Sequence, residues 1–272
     1  MDNQSKERLI VVAGQGKFPI MIAREAKRQG LDILVIALKG YTPDELSQEV
    51  SDIHWFELGQ ISEMLKTVKN SGIKEVALAG RVPHDAILHY KGFDSFSKGL
   101  ISLLVDKKAN SILKMIASVL AKNGLRVVDT SRFLKSYIPG KGLLTSRRAI
   151  TPEEEKEIKF GLPIVRKIAD MDIGLMIVVK NQIVVAIEGM EGTDKAIQRG
   201  AELAGEGIVI IKVARSNQNP RWDLPVVGLR TIKLMHEVKA SALAISAQKT
   251  LFFDIDEAIR LAEESDIGII AL

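Results

Sequence analysis

The chain has 272 residues, 46% of them hydrophobic, and no cysteine, which excludes disulfides, thiolate metal sites and cysteine nucleophiles. No apolar run reaches the roughly 18–20 residues of a membrane span, and the polar N-terminus is no secretory signal, so we expect a cytoplasmic protein of one large or two ordinary domains. The net charge of +4 is scattered rather than gathered into a stripe with aromatic residues, which argues against nucleic acid as a partner but suits phosphates or anionic lipid.

The first half of the chain alternates short, β-branched apolar segments with amphipathic ones. This alternation predicts an open parallel sheet with right-handed helical crossovers, and the continuous apolar character predicts strands buried on both faces. The predicted strands cover residues 9–13, 33–38, 53–57, 75–79 and 126–128. The predicted helices cover residues 19–29, 43–50, 61–70 and 109–123.

A pair of glycines follows the first predicted strand in "AGQGKFP", where Gly14 and Gly16 precede a helix. Glycines let the backbone approach a ligand closely, and the N-terminus of a helix binds anions. The dinucleotide fingerprint is incomplete, because Pro19 occupies the third glycine position and the second strand ends in "ALKGYT" without an acidic residue. The pattern therefore predicts a phosphate or nucleotide loop without NAD specificity, with a plain tight turn as the alternative.

Gly80 and Arg81 follow the fourth predicted strand in "ALAGRVPHD". Ligands bind at the carboxyl ends of the strands in an open α/β sheet, so we expect this loop to converge with the glycine loop. Arg81 has two interpretations, a bidentate partner of a phosphate or one half of a surface salt bridge.

The composition changes in "PGKGLLTSRRAITPEEE", which is rich in Gly, Pro, Ser and Thr and then opens an acidic helix at Pro152. We place a domain boundary here, between residues 130 and 145, which gives domains of residues 1–135 and 136–272. The second domain is predicted to contain a helix over 152–170 and an antiparallel hairpin that turns at Asn181-Gln182. A helix at 194–204, a strand at 208–213, a helix at 229–239 and a strand–helix–strand unit complete a mixed α/β domain.

Three carboxylates, Glu188, Glu191 and Asp194, lie within seven residues in the glycine-rich segment after the hairpin. Their mutual repulsion requires a counter-charge. Mg²⁺ is the natural cation, because it takes oxygen ligands and commonly uses one or two carboxylates together with water and substrate phosphate.

The same segment also allows structural interpretations. The carboxylates could form salt bridges, which contribute little when exposed, to Lys195, Arg199 or Lys212. Thr193 or Asp194 could cap the helix that runs on to Gly200. Lys212 and Arg215, at the end of the next strand, could instead neutralise a phosphate.

A further carboxylate, Asp223, lies between Trp222 and Leu224 in "NQNPRWDLPVVG", a stretch with no helix or strand period. If this loop folds onto the acidic segment, the apolar neighbours shield the carboxylate from water and raise its basicity, while a metal or Arg221 keeps it ionised. Asp223 would then be a metal ligand or a base that orients a water molecule. An Asp that merely caps a turn is the alternative in a Pro-rich loop.

Six motifs resemble, in order and spacing along essentially the whole chain, those of the inner-membrane-associated UDP-2,3-diacylglucosamine pyrophosphatases of the lipid A pathway in Gram-negative bacteria. That family is unrelated to the calcineurin-like phosphoesterases that catalyse the same step. The motifs are "AGQGKFP", "GRV", "GLLT", "DMDIGLMIVVKNQIVVAIEGMEGTD", "IKVAR" and "RWDLPVVGLRT". The chain departs from the family at Gln15, where many members have another glycine.

The resemblance implies Mg²⁺-dependent hydrolysis of the pyrophosphate in UDP-2,3-diacylglucosamine, with water attacking the phosphorus on the uridine side. The products are UMP and 2,3-diacylglucosamine 1-phosphate. It also implies a Rossmann-like, parallel-sheet N-terminal domain, a distinct mixed α/β C-terminal domain, ligand in the cleft between them, and peripheral attachment to the inner membrane.

The same resemblance assigns roles to residues. Asp223 matches the family's essential aspartate and is expected to be the catalytic residue and a ligand of Mg²⁺, with Glu191 and Asp194 as the next candidates for metal ligands. The expected substrate-binding residues are Gly14, Gly16, Lys17, Gly80, Arg81, Thr193, Lys212 and Arg221. A homodimer is left open. The competing functions are an NAD(P)-dependent oxidoreductase and a non-catalytic protein that binds a nucleotide sugar or lipid phosphate.

Overall fold

The structure is a computed structural model that describes residues 7–104, 109–217 and 224–272. The described chain divides into two compact units, the first ending at Leu134 and the second beginning at Lys135. The first unit contains a parallel sheet and the second a mixed one, so the predicted two-domain α/β fold class is confirmed. Within these described ranges, no helix combines the length and the apolar character that crossing a membrane requires.

The N-terminal unit is built on one parallel sheet. Its strands, in the order β3-β2-β1-β4-β5, are β1 (Arg8–Ala13), β2 (Asp32–Leu38), β3 (Asp52–Phe56), β4 (Glu75–Ala79) and β5 (Arg126–Val127). The helices are α1 (Phe18–Arg28), α2 (Leu46–Glu49), α3 (Ile61–Asn70), α4 (His84–His89), α5 (Ser95–Ser102) and α6 (Ala109–Lys122). The sequence pattern did not predict α4 and α5.

Strand β1 lies at the centre of this sheet, and its residues Leu9, Ile10 and Val11 are fully buried. This is the burial expected for a parallel strand with helices on both faces. Thr42 ties the carboxyl end of β1 to that of β2, because its hydroxyl donates to the carbonyl of Ala13 at 2.5 Å and accepts from the amide of Leu38 at 2.8 Å. The edge of the sheet that the glycine loop leaves is therefore held in place by a buried hydroxyl.

The C-terminal unit contains one mixed sheet and a separate parallel pair of strands. The mixed sheet has the order β6-β13-β11-β9-β7-β8, and β10 pairs with β12. The strands are β6 (Gly142–Leu143), β7 (Met176–Lys180), β8 (Ile183–Ile187), β9 (Val209–Lys212), β10 (Val226–Gly228), β11 (Ala242–Ile245), β12 (Leu251–Phe253) and β13 (Gly268–Ala271). The helices are α7 (Pro152–Asp170), α8 (Thr193–Ala204), α9 (Leu229–Glu237) and α10 (Ile255–Glu264).

The predicted hairpin is formed by β7 and β8. Asn181 and Gln182 have φ of 51° and 55°, as in the two-residue turn whose twist matches that of paired strands. Side chains alternate across the sheet, so Ile177 and Ile211 belong to the core on the side of α7, whereas Val178 and Ile210 belong to the core on the side of α8.

Helix α7 begins with a capping box, in which the Thr151 hydroxyl accepts from the amide of Glu154 and the Glu154 carboxylate accepts from the amide of Thr151. Near its middle, the helix approaches the sheet so closely that a Cβ built on Gly161 would lie 2.5 Å from Cδ1 of Ile211 and 2.9 Å from Cγ2 of Val179. The residue at this position therefore sets the distance between α7 and the sheet.

Candidate functional site

Two loops at the carboxyl edge of the N-terminal sheet meet, as expected. The amide of Gln15 donates to the carbonyl of Arg81 at 2.8 Å, and the amide of Arg81 returns a bond to the carbonyl of Gln15 at 3.3 Å. A Cβ on Gly14 would lie 2.8 Å from the Arg81 carbonyl oxygen, and one on Gly80 would lie 2.7 Å from that of Gln15. Glycine at these two positions is required by the contact between the loops, whether or not a ligand binds there.

Other residues of these loops carry groups whose chemistry suits an anion. Gly16 has φ of +90°, and no atom that the structure describes lies within 4 Å of a Cβ built on it, so this side of its backbone faces free space. Helix α1 begins after Lys17, whose side chain does not cap it. Arg81 is exposed and forms no ion pair with a side chain that the structure describes. Gly16, Lys17 and Arg81 are therefore the residues of this edge with groups suited to a phosphate.

The carboxyl edge of the C-terminal sheet gathers a second set of polar side chains. Strand β7 runs antiparallel to both β8 and β9, so the ends of β8 and β9 lie at the same edge. Glu188 directly follows β8, Lys212 is the last residue of β9, and Thr193 is the first residue of α8. The strand order thus brings together residues that are up to 24 positions apart in the chain (188 to 212).

These three side chains form a hydrogen-bonded cluster, called here the Lys–Thr–Glu cluster. The Lys212 ammonium donates to Oγ1 of Thr193 at 2.7 Å, and the Thr193 hydroxyl donates to Oε1 of Glu188 at 2.5 Å. The second carboxylate oxygen of Glu188 lies 3.6 Å from Nζ of Lys212 and accepts from the amide of Leu175 at 3.3 Å. The side chains of Lys212 and Glu188 are only 6% and 12% exposed, so each charge compensates the other away from bulk water.

Glu191 lies outside the Lys–Thr–Glu cluster and pairs with an arginine instead. Its carboxylate accepts from Nη2 of Arg199 at 2.6 Å and from the amide of Gly189 at 3.1 Å, and Arg199 also donates to the carbonyl of Ile187. The Arg199 guanidinium, assisted by backbone hydrogen bonds, holds the pKa of Glu191 below its usual range. Glu191 therefore fastens the turn between β8 and α8, as in the salt-bridge interpretation.

Asp194 lies in the first turn of α8 and pairs with Arg230 of α9 at 2.7 Å. The capping hypothesis for this helix is wrong, because its N-cap is Gly192, with φ of 85°, and no side chain caps it; the helix ends at Ala204, as predicted. Thr193 is the first residue of the helix rather than its N-cap, and its hydroxyl bonds Glu188 and Lys212 instead. The counter-charges that the acidic segment needs are thus supplied by Lys212, Arg199 and Arg230.

The segment after β9 is fastened to the end of α7. Arg215 forms an ion pair with Asp172, and Ser216 donates to Asp170 through its amide at 2.8 Å and through its hydroxyl at 2.7 Å. The bonds from the Ser216 amide and hydroxyl lower the pKa of Asp170. Arg215 is therefore engaged with an acid of the protein itself, as Lys212 is with Glu188.

The predicted catalytic residue Asp223 and its neighbour Arg221 lie outside the described residues, so their predicted roles stay predictions. Among the described residues, no three His, Asp or Glu side chains are grouped so that they could hold a metal ion. Each carboxylate of the acidic segment is already neutralised by a lysine or an arginine. The described acids do not fit a magnesium site by themselves, and either Glu191 or Asp194 would have to release its arginine in order to bind one.

Sequence reasoning did not assign Glu188 a role of its own, because the pattern groups it with Glu191 and Asp194. The available signal was its position directly after strand β8. Lys212 ends strand β9, which is separated from β8 in the sheet only by β7, so the two side chains lie at the same edge. Without the strand order, the pattern does not distinguish Glu188, which contacts Lys212, from Glu191, which pairs with Arg199.

Comparison with known proteins gives matches to both halves of the chain. A family model described as the LpxI N-terminal domain matches residues 8–137, and one described as the LpxI C-terminal domain matches residues 140–270. The UDP-2,3-diacylglucosamine pyrophosphatase LpxI of Caulobacter vibrioides is 25% identical over 277 aligned positions, which cover 97% of this chain and 96% of that protein.

Solved structures give weaker similarities. Rhizobium etli pyruvate carboxylase with acetyl coenzyme A matches with a TM-score of 0.27 and 13% identity, over 70% of this chain and 17% of that chain. The dehydrogenase Cj0485 matches with a TM-score of 0.26 and 15% identity, over 75% of this chain and 89% of that chain. TM-scores of this size do not indicate a shared fold.

Proposed function

The chain belongs to the LpxI family, and from this premise we propose that it hydrolyses the pyrophosphate bond of UDP-2,3-diacylglucosamine in lipid A biosynthesis. The products are UMP and 2,3-diacylglucosamine 1-phosphate. The observation that carries the proposal is the match of both family domains over almost the whole chain, together with a relative of that activity aligned over 97% of it. The protein is accordingly an enzyme, a hydrolase of a phosphoric anhydride.

The substrate carries a diphosphate, and the described residues offer cationic and backbone donors suited to it. In the C-terminal domain, the nearly buried ammonium of Lys212 lies beside the first turn of α8, whose N-cap is a glycine. In the N-terminal domain, Arg81 and the open backbone at Gly16 lie at the carboxyl edge of the sheet, where α/β proteins bind ligands. The proposed substrate-binding residues are Gly14, Gly16, Lys17, Gly80, Arg81, Thr193, Lys212 and Arg221.

We assign Asp223 as the catalytic residue, on the strength of its motif in the sequence. Its role is to bind the metal or to orient the water molecule that attacks the phosphorus on the uridine side. Mg²⁺ is the proposed cofactor, and when bound to a diphosphate such an ion neutralises charge that develops at phosphorus. Glu191 and Asp194 are the further proposed ligands, in competition with Arg199 and Arg230.

The strand order β3-β2-β1-β4-β5 supports a Rossmann-like classification of the N-terminal domain, since the doubly wound order begins in this way. For the domains we propose residues 1–135 and 136–272. We also propose peripheral attachment to the inner membrane, where the lipid substrate resides, and leave a homodimer as an assembly to be tested. Flotation with anionic lipid vesicles tests the attachment, and light scattering measures the mass of the particle in solution.

The proposed function is tested by UMP release. Purified protein is incubated with UDP-2,3-diacylglucosamine and either Mg²⁺ or EDTA, for the wild type, Asp223→Ala and the control Glu206→Gln, which alters only an exposed pair with Lys239. We expect UMP release from the wild type and the control with Mg²⁺ only, and a rate lower by orders of magnitude in Asp223→Ala. In ¹⁸O water the label should enter UMP and not the sugar phosphate. Binding of the substrate without turnover would contradict the proposed function, and an unchanged rate in a folded Asp223→Ala would remove that residue from the chemistry.

A further inference from the structure

Glu188 has no role in the proposed chemistry, yet it contacts two of the proposed substrate-binding residues. Its side chain is 12% exposed, and its two carboxylate oxygens face Thr193 and Lys212 respectively. A nearly buried carboxylate at the carboxyl edge of a sheet requires partners for its charge, and here those partners are the groups expected to meet a phosphate.

The direction of the hydrogen bonds in the Lys–Thr–Glu cluster follows from the chemistry of its members. An ammonium group only donates and a carboxylate only accepts, so the Thr193 hydroxyl must accept from Lys212 and donate its single hydrogen to Glu188. Thr193 then has no hydrogen left for a phosphate oxygen, which itself only accepts. In this arrangement Thr193 does not bind the substrate phosphate directly through its hydroxyl.

Lys212 differs from Thr193 in the donors that it keeps. Of its three N–H groups one is used on Thr193, and the nearer oxygen of Glu188 is 3.6 Å away, beyond hydrogen-bonding distance. The ammonium therefore retains donors for an anion, while the charge of Glu188 compensates its own charge in a site that is shielded from water.

Glu188 is itself fixed by the backbone. One carboxylate oxygen accepts from the amide of Leu175 at 3.3 Å, and the amide of Glu188 donates to the carbonyl of Met176 at 2.9 Å. A Cβ on Gly174 would lie 1.8 Å from the Glu188 carbonyl oxygen, so the two segments are in direct backbone contact. A carboxylate held in this way can orient its partners without moving itself.

We infer that Glu188 is a positioning residue, which acts through Thr193 to hold the Lys212 ammonium in place, and that Lys212 is the member of the cluster that donates to the substrate phosphate. The inference rests on the proposed function for the identity of the substrate. It revises the role of Thr193 from a direct substrate ligand to a link between Glu188 and Lys212.

The test compares kcat/KM for UMP release, and the affinity for UMP by calorimetry, among variants of the full chain. Glu188→Gln keeps the shape but removes the charge, and Thr193→Val keeps the shape but removes the hydroxyl. Both should lose roughly 10- to 100-fold in kcat/KM, the range expected when a hydrogen bond to a charged group is lost, and both should bind UMP more weakly. Thr193→Ser, which restores the hydroxyl, should recover most of the activity.

Combined variants distinguish a purely structural role of Glu188 from its action through Lys212. If Glu188 acts through Lys212, then Glu188→Gln should add little to the loss in Lys212→Met, because the group that it positions is already gone. Additive losses in that pair, no recovery in Thr193→Ser, or a kcat/KM and UMP affinity in folded Glu188→Gln within about twofold of the wild type would each overturn the inference.

Failure of the proposed function gives a different result. In that case the wild type does not release UMP from the lipid substrate, and the inference about Glu188 is decided by UMP affinity alone. Hydrogen exchange confirms that each variant is folded. Glu188→Gln combined with Lys212→Met removes both charges together and so leaves neither one buried without its partner.

Discussion

Gly80 and Gln15 lie so close that a methyl group on the glycine would approach the Gln15 carbonyl oxygen to 2.7 Å. Gly80 also has φ of +87°, so a side chain there would be strained as well as crowded. We expect Gly80→Ala to destabilise the N-terminal domain by about 2–4 kcal/mol, from the left-handed backbone and from overpacking together. Hydrogen exchange of the amides in β1 and β4 measures the loss.

The control for this prediction is Gly124→Ala in the same domain. Gly124 has φ of +74°, but within the part of the chain that the structure describes nothing lies within 4 Å of the added methyl. Only the backbone contribution of about 1–2 kcal/mol should therefore appear. Equal losses in the two variants would show that the contact between the loops does not restrict residue 80.

The Asp94 carboxylate links two helices of the N-terminal domain, so we expect the free energy of unfolding to depend on pH. Its carboxylate caps α5 by accepting from the amide and hydroxyl of Ser97, at 2.7 and 2.6 Å, and accepts from the amide of Ser62 in α3 at 2.9 Å. Burial raises the pKa of Asp94, but these hydrogen bonds outweigh it and lower the pKa to about 2, from an ordinary 3.8.

Because the folded pKa is the lower one, the stabilisation by Asp94 is present above the ordinary value and is lost as the pH falls towards the folded value. Asp94→Asn should therefore be less stable than the wild type by about 1 kcal/mol at pH 7, and the two should converge between pH 4 and 2. Urea unfolding at several pH values checks this. A difference that persists unchanged at pH 2 would mean that the charge of Asp94 is not responsible.

Arg148 and Glu154 form a buried ion pair at the start of α7. Two guanidinium nitrogens of Arg148 donate to the two oxygens of Glu154 at 2.7 and 2.6 Å, and the two side chains are 11% and 7% exposed. Glu154→Gln leaves the arginine charge without this partner and also weakens the capping box, so it should destabilise the C-terminal domain by about 3 kcal/mol.

Glu155→Gln is the matched control, one residue further along the same helix. Glu155 pairs with Lys159 at 2.9 Å, with side chains that are 59% and 72% exposed, and a pair of this kind contributes at most about 0.5 kcal/mol. Chemical unfolding followed by circular dichroism separates the two variants, and a loss in Glu155→Gln as large as in Glu154→Gln would contradict the importance of burial.

Arg199 should compete with Mg²⁺ for the carboxylate of Glu191, if Glu191 is a metal ligand as proposed. Arg199→Met frees the carboxylate from its 2.6 Å ion pair and should lower the Mg²⁺ concentration that gives half-maximal activity by several-fold. Glu191→Gln should raise that concentration. If both variants and the wild type show the same Mg²⁺ dependence, Glu191 is not a metal ligand and serves only to stabilise the turn between β8 and α8.

Much of the fold was predictable because its central strands are buried on both faces and its helices are amphipathic; the edge strand β3, also predicted to be buried, buries only Phe56. Strand β4 and helices α3 and α7 were predicted with the bounds that the structure has. Strands β6 and β10, of two and three residues, were missed, because a segment that short shows no period and is recognised only by its pairing.

The candidate site was predicted less completely, for a physical reason. Residue types and their spacing identified the acidic segment and Lys212, but which acid meets which cation depends on the order of strands and on the path of a turn. The sequence places Glu188, Glu191 and Asp194 together, whereas in the fold they pair with Lys212, Arg199 and Arg230. Counter-charges from distant segments are what short-range pattern reasoning lacks.

Because α7 packs so closely on the sheet at Gly161, a larger residue at this position would shift the far end of the helix. From Gly161 the helix continues to Asp170, over a length of roughly 13 Å, and Asp170 accepts hydrogen bonds from the amide and hydroxyl of Ser216. A side chain at position 161 would tilt α7 away from the sheet, and a tilt of roughly 5° displaces the end of the helix at Asp170 by about 1 Å. Any side chain at position 161 would therefore shift Asp170, and with it the bonded Ser216, without contacting either residue.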